Sequence, residues 1–128
     1  EASFGWSEME GDECFGGRRC DPSAHIVPAV IYPHVDGDTG HCSVVGGYAY
    51  RGAAGSLPEG TYLYADHCSR TIWGVPATEL QQGRAAPTVV AQVPERFGRV
   101  QSFGQDDDGE LYLLTDGGFV LAISAAQR

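Results

Sequence analysis

The sequence predicts an all-β fold, on three observations. Eighteen glycines and seven prolines are spread along 128 residues rather than pooled, so turn residues interrupt the chain at short intervals and leave little room for a long helix. Between them lie short runs of strand length, rich in Val, Ile, Thr, Tyr and Phe. One pair of runs also recurs. "YLYADHCSRTIWGV" (Tyr62 to Val75) and "YLLTDGGFVLAI" (Tyr112 to Ile123) each read Tyr-Leu-apolar-x-Asp, a turn, and a second apolar strand, with Asp66 and Asp116 lying 50 positions apart.

The elements follow in order. Residues 1–42 read as an irregular loop region with one short strand. Up to Pro28 the alternating runs are few, and Cys14, Gly16-Gly17 and Cys20 suggest a loop tied by a local bridge, followed by a strand at Ala29–Tyr32. Residues 43–94 hold four strands, Ser43–Arg51, Thr61–His67, Thr71–Val75 and Thr88–Val93, and residues 95–128 hold three, Val100–Gly104, Glu110–Thr115 and Phe119–Ser124. "LPEG", "DHCSRT", "QDDDGE" and "TDGG" supply the turn residues between strands. "PATELQQGR" is polar and slightly helix-prone, and reads as an exposed connection. The 50-residue spacing falls in the period expected of a propeller blade. One blade is complete, the second is one strand short, and a ring needs about four to eight blades. The chain therefore reads as the tail of a larger propeller, with the remaining blades as its partners.

Composition narrows the functional classes. Seventeen acidic residues stand against eight basic ones, all arginine, for a net charge of −9 and a pI near 4.6. That balance argues against nucleic-acid binding, which needs clustered cations to displace counterions from phosphates. The longest apolar stretch, "AHIVPAVIYPH", is broken by Pro28 and Pro33 and falls short of the roughly 18 residues of a membrane span. An even count of four cysteines fits an oxidising compartment, which makes the expected location secreted or periplasmic. A start at Glu1, with neither Met nor an apolar leader, places any signal segment or upstream domain outside these residues.

Two "HCS" triplets, at 41–43 and 67–69, raise the question of a metal site built from His41, Cys42, His67 and Cys68. Adjacent strand residues point to opposite faces and do not easily reach one ion, so zinc is disfavoured. If Ser43–Arg51 pairs antiparallel with Thr61–His67, however, Cys42 falls opposite Cys68. The separation of facing positions suits a disulfide, and Cys14 then pairs with Cys20 by elimination. "GQDDDGELYLLTD" does not fit an EF-hand: aligned on Gly109, the first and twelfth ligand positions fall on Gly104 and Thr115. Asp36 and Asp38 in "VDGDTG" offer at most a weak surface cation site, and solvated turn residues are the simpler reading. None of His25, His34, His41 or His67 has a recognisable partner motif, and no serine sits in a nucleophile elbow. Gly46-Gly47 would weaken a strand unless a bulge or a close neighbour requires them, and an innermost propeller strand is such a place. Arg99, before the strand at Val100, reads either as a rim arginine paired with an acidic neighbour or as a carboxylate-binding group.

Taken together, "FGW", "MEG…CF…CD", "YPH", "CSVVGGYAYRG", "LPEGTYLYADHCSRTIW" and "SFGQDDDGELYLL" resemble, in the same order, the C-terminal part of the soluble quinoprotein sugar dehydrogenases. This is the glucose/sorbosone dehydrogenase family, whose animal relatives include the hedgehog-interacting proteins. The resemblance implies a six-bladed propeller that, in the enzymes, holds pyrroloquinoline quinone (PQQ) and calcium and oxidises aldose sugars. The catalytic histidine and most calcium ligands of the family belong to earlier blades and have no counterpart here. Arg99 is the best match to the arginines that contact the cofactor, whereas Gln101 departs from that arginine pair. His41 and Ser43 would approach the quinone, and Arg70 falls where the enzymes place a basic residue. The resemblance thus implies part of an aldose oxidoreductase that supplies cleft wall and ring closure and is inactive alone. A secreted, non-enzymatic binding propeller of the hedgehog-interacting type is the alternative.

Overall fold

Residues Pro33–Arg128 form one unit of antiparallel sheet, and Glu1–Tyr32 form another, in a computed structural model that describes residues 2–35, 37, 40–83 and 85–124. In the larger unit, strands β3 (Val44–Val45), β4 (Thr61–Asp66), β5 (Thr71–Pro76) and β6 (Thr88–Gln92) pair in chain order as a four-stranded meander. Strands β7 (Val100–Gln105), β8 (Leu111–Thr115) and β9 (Val120–Ala122) make a three-stranded one. The chain is thus all-β, with four- and three-stranded meanders of the kind propeller blades use. The helix-prone connection folds as one short helix, α1 (Ala77–Gln81).

The repeat explains the packing. Leu63 and Leu113, at equivalent positions of β4 and β8, are both buried and join Tyr50, Val100, Phe103 and Leu111 in one apolar core. β3 and β7, the first strands of their sheets, lie against each other. Outward from there the sheets become wetter, until every residue of the edge strand β6 is exposed.

Two expected strands differ from what is observed. Ala29–Tyr32 forms no strand; it lies between Pro28 and Pro33, whose missing amides interrupt any ladder. Ser43–Arg51 is not continuous. Val44 and Val45 face Asp66 and Ala65, but the next paired position is Ala49 opposite Tyr62, so one extra residue is accommodated around Gly46 and Gly47. This is a bulge, and it brings the backbone so close that a Cβ on Gly47 would lie 2.3 Å from the Leu63 carbonyl oxygen. Of the two tyrosines that follow, Tyr50 is buried and Tyr48 is exposed.

The two sheets are tied between the segment 50–54 that follows the bulge and the β7–β8 turn. The Glu110 carboxylate accepts from the Tyr50 hydroxyl at 3.1 Å and from the Ala54 amide at 2.8 Å, and the Ala53 amide donates to the Asp108 carbonyl. Gly109, at φ +80°, lets this turn approach Arg51, whose carbonyl oxygen would lie 2.7 Å from an added Cβ. Glu110→Ala leaves the proton of the buried Tyr50 hydroxyl without its acceptor, while the Ser56 amide still donates to that oxygen, and is expected to cost about 1–2 kcal/mol in urea unfolding. Within the same turn Asp106 accepts from the Tyr112 hydroxyl at 2.8 Å and from the amides of Asp108 and Glu110. The Tyr112 bond, followed by the Glu110 amide, holds the Asp106 carboxyl below its ordinary range, and the same pairing raises the Tyr112 phenol. Because the folded carboxyl is the stronger acid, its contribution is complete above the ordinary carboxylate range and disappears as pH falls through the lowered value. Carboxyl-carbon NMR should therefore find Asp106 titrating unusually low, and Tyr112→Phe should move it back toward the ordinary range.

In the unit Glu1–Tyr32, β1 (Met9–Glu10) and β2 (Glu13–Cys14) form a two-residue-strand hairpin, and two single 3-10 turns follow at Phe15–Gly17 and Pro22–Ala24. Asp21 caps the second turn through the Ser23 amide at 3.0 Å. Cys14 and Cys20 are bonded, and so are Cys42 and Cys68 in the other unit. Both pairings are those read from strand register and elimination.

Candidate functional site

The starts of β3 and β7 and the β4–β5 turn enclose an open groove of about 400 Å³, lined by Ser43, Val44, Val45, His67, Val100 and Gln101. Local irregularity shapes both first strands. β3 runs into the bulge at Gly46–Gly47, and β7 carries one at Gln101, since Val100 faces Thr115 while Ser102 already faces Leu114. Such bulges re-aim side chains and recur beside sites; Gln101, the extra residue, lines the groove.

Asp66 organises this end of the sheet. It is fully buried, accepting from the amides of Cys42 (2.9 Å) and Ser43 (2.8 Å) through one oxygen and from the Ser69 amide (2.8 Å) through the other. Its repeat equivalent does a similar job, since Asp116 accepts from the Arg99 amide at 2.6 Å at the start of β7. In each blade, the aspartate that ends the second strand fastens the backbone where the first strand begins. Neither aspartate was singled out as a site residue from sequence, although the 50-residue spacing carried the signal.

Of the four expected cofactor-contacting residues, His41, Ser43 and Arg70 lie at the β4–β5 turn and Arg99 lies at the start of β7, held there by Asp116. His41 Nδ1 lies 3.0 Å from Ser69 Oγ and 4.0 Å from Asp66 Oδ1, and its ring stands edge-on to Trp73. Ser43 lines the groove while its amide is held by Asp66. Arg70 adopts φ 60° in the β4–β5 turn, and its guanidinium donates to Glu95 at 2.9 Å. Arg99, half-buried beside Val100, makes no side-chain ion pair among the described residues. Asp36 and Asp38 lie outside the described residues. Among those described, no three His, Cys, Asp or Glu side chains come together as a metal site. Among the described residues, no helix is long and apolar enough to cross a membrane.

The chain is similar to two plant proteins. The HIPL2 protein of Arabidopsis thaliana is 28% identical over 143 residues, covering 91% of this chain and 20% of the relative. The HIPL1 protein of the same plant is 29% identical over 141 residues, again 91% of this chain and 20% of the relative. This chain therefore spans about a fifth of the length of the curated relatives it matches. No family model and no solved structure matches it.

Proposed function

We propose that these residues form the C-terminal part of a six-bladed propeller oxidoreductase that oxidises aldose sugars with PQQ and calcium, supplying one wall of the cofactor cleft and closing the ring. One observation carries the reading: the first strands of two successive blades stand side by side, and where they begin they open a polar groove next to an arginine that makes no ion pair among the described residues. The ordered motifs shared with the glucose/sorbosone dehydrogenases and the alignment with one fifth of two longer chains support it.

The residues present fit PQQ in part. Its carboxylates match a guanidinium free to make a bidentate pair, so Arg99 would hold one of them, with the Ser43 hydroxyl as a neighbour. His41 and Arg70 fit less directly, because Ser69 and Asp66 engage the first and Glu95 the second. Calcium would be held by blades outside these residues, as would the catalytic base. When bound, the quinone accepts the hydride of the sugar; this segment's own side chains bind and orient.

The test is dye reduction by the full-length protein supplied with PQQ, calcium and a series of aldoses. Turnover with at least one aldose is expected, and Arg99→Ala should raise the PQQ concentration needed for half-maximal activity about tenfold, the worth of one charge-assisted contact. No reduction with any aldose would refute the enzyme reading. It would leave a secreted binding propeller, the second reading, which the structural engagement of His41 and Arg70 favours.

A further inference from the structure

We propose that His67 is a ligand-binding residue of the groove, the group that accepts a hydrogen bond from a sugar hydroxyl. The inference rests on the reading of the groove as part of the ligand cleft. His67 is half-buried at the end of β4, and its Nδ1 lies 2.8 Å from the Val100 carbonyl oxygen across the two blades. A carbonyl only accepts, so the proton of the neutral ring sits on Nδ1. Nε2 is then a bare lone pair. Among the described residues it has no hydrogen-bond partner, and it is not sealed from solvent as His25 Nε2 is.

Anchoring one ring nitrogen on a backbone carbonyl fixes both the tautomer and the direction of the other nitrogen. A surface histidine free to rotate offers a ligand no such defined acceptor. The rest of the wall matches the same ligand chemistry. Gln101, lifted out of the β7 ladder by its bulge, brings an amide that both donates and accepts, and Ser43 brings a hydroxyl. Val44 and Val45 supply apolar surface between them. A neutral ring with hydroxyls on its edge and C–H groups on its face needs this alternation of acceptor, donor and apolar contact. A charged ligand would not use a neutral imidazole lone pair in this way.

The experiment uses the full-length protein labelled with nitrogen-15 at histidine, with His67 assigned by its loss in His67→Asn. In the free protein the ring should show a protonated Nδ1 and a bare Nε2, and the opposite tautomer would overturn the assignment. Addition of an aldose such as glucose should shift the Nε2 resonance. His67→Asn, whose side-chain amide reaches the position of Nδ1 and so keeps a donor for Val100 but places no acceptor where Nε2 stood, should weaken aldose binding about tenfold, the loss of one hydrogen bond. Unchanged affinity in that variant, or no Nε2 shift at saturating aldose, would sink the proposal. If the variant does not fold, the tautomer and the wild-type shift still decide. The two readings also separate: an Nε2 shift without dye reduction keeps His67 and removes the oxidoreductase, whereas dye reduction with an unmoved Nε2 does the reverse.

Discussion

Replacing Asp66 with alanine is expected to destabilise the protein by about 4 kcal/mol. Three backbone amides lose a charged acceptor at once, those of Cys42, Ser43 and Ser69. A buried donor left unpaired costs about 1–3 kcal/mol, and the Ser69 amide bond is itself buried. Asp66→Asn should cost roughly half as much, because one oxygen still accepts while the new NH2 group faces donors. The repeat supplies an internal control. Asp116 is exposed and its carboxylate accepts from the Arg99 amide, so Asp116→Ala should cost only about 1 kcal/mol. Urea unfolding followed by tryptophan fluorescence would compare them, since Trp73 packs on His41 beside Asp66. Equal losses for the two alanine variants would contradict the assignment of Asp66 as the anchor of this end of the sheet.

The second large effect is expected at the bond between Cys42 and Cys68, which closes a loop of sequence separation 26. Loop-closure entropy gives about 3.5 kcal/mol for a loop of that length. The Cys14–Cys20 bond spans only 6 positions, and the same relation gives roughly 2 kcal/mol. The paired serine variants should therefore rank in that order when unfolding midpoints are compared under oxidising conditions. The larger bond also sits beside Asp66, with the Cys42 amide donating to that carboxylate. Combining Asp66→Ala with the Cys42/Cys68 serine pair should therefore cost less than the two losses added separately, as groups sharing one local structure couple. Strict additivity would show that bond and carboxylate act independently.

Much of the fold was legible because its signals are local. β4, β5, β7 and β8 fall within two residues of their expected ends, since each is a short run of strand-forming residues bounded by turn signals. The pairing of Cys42 with Cys68 followed from register alone, as antiparallel positions that face each other are set by the turn between them. The expectation of one strand over Ser43–Arg51 exceeds β3 because β-branched Val44 and Val45 and the alternation of Tyr48 and Tyr50 read as one strand. Whether Gly46 and Gly47 make a bulge depends on Leu63 across the ladder, which the local pattern does not contain. Ala29–Tyr32 is apolar enough for a strand, but no partner edge pairs with it.

The site was less legible, for the same reason. Sequence alone set the all-β class, the two-blade repeat, the cysteine pairing and a short group of residues, His41, Ser43, Arg70 and Arg99, near the strand starts. Only the tertiary structure decided how each is employed: His41 beside Ser69 and Asp66, Arg70 on Glu95, Arg99 without an ion pair, and His67 turned by the Val100 carbonyl to face the groove. Strand periodicity and turn chemistry are written in neighbouring residues. Hydrogen-bond partners 20 to 60 positions apart, such as Asp66 with Cys42 or Glu110 with Tyr50, exist only once the sheets have packed, and they determine which polar groups remain free for a ligand.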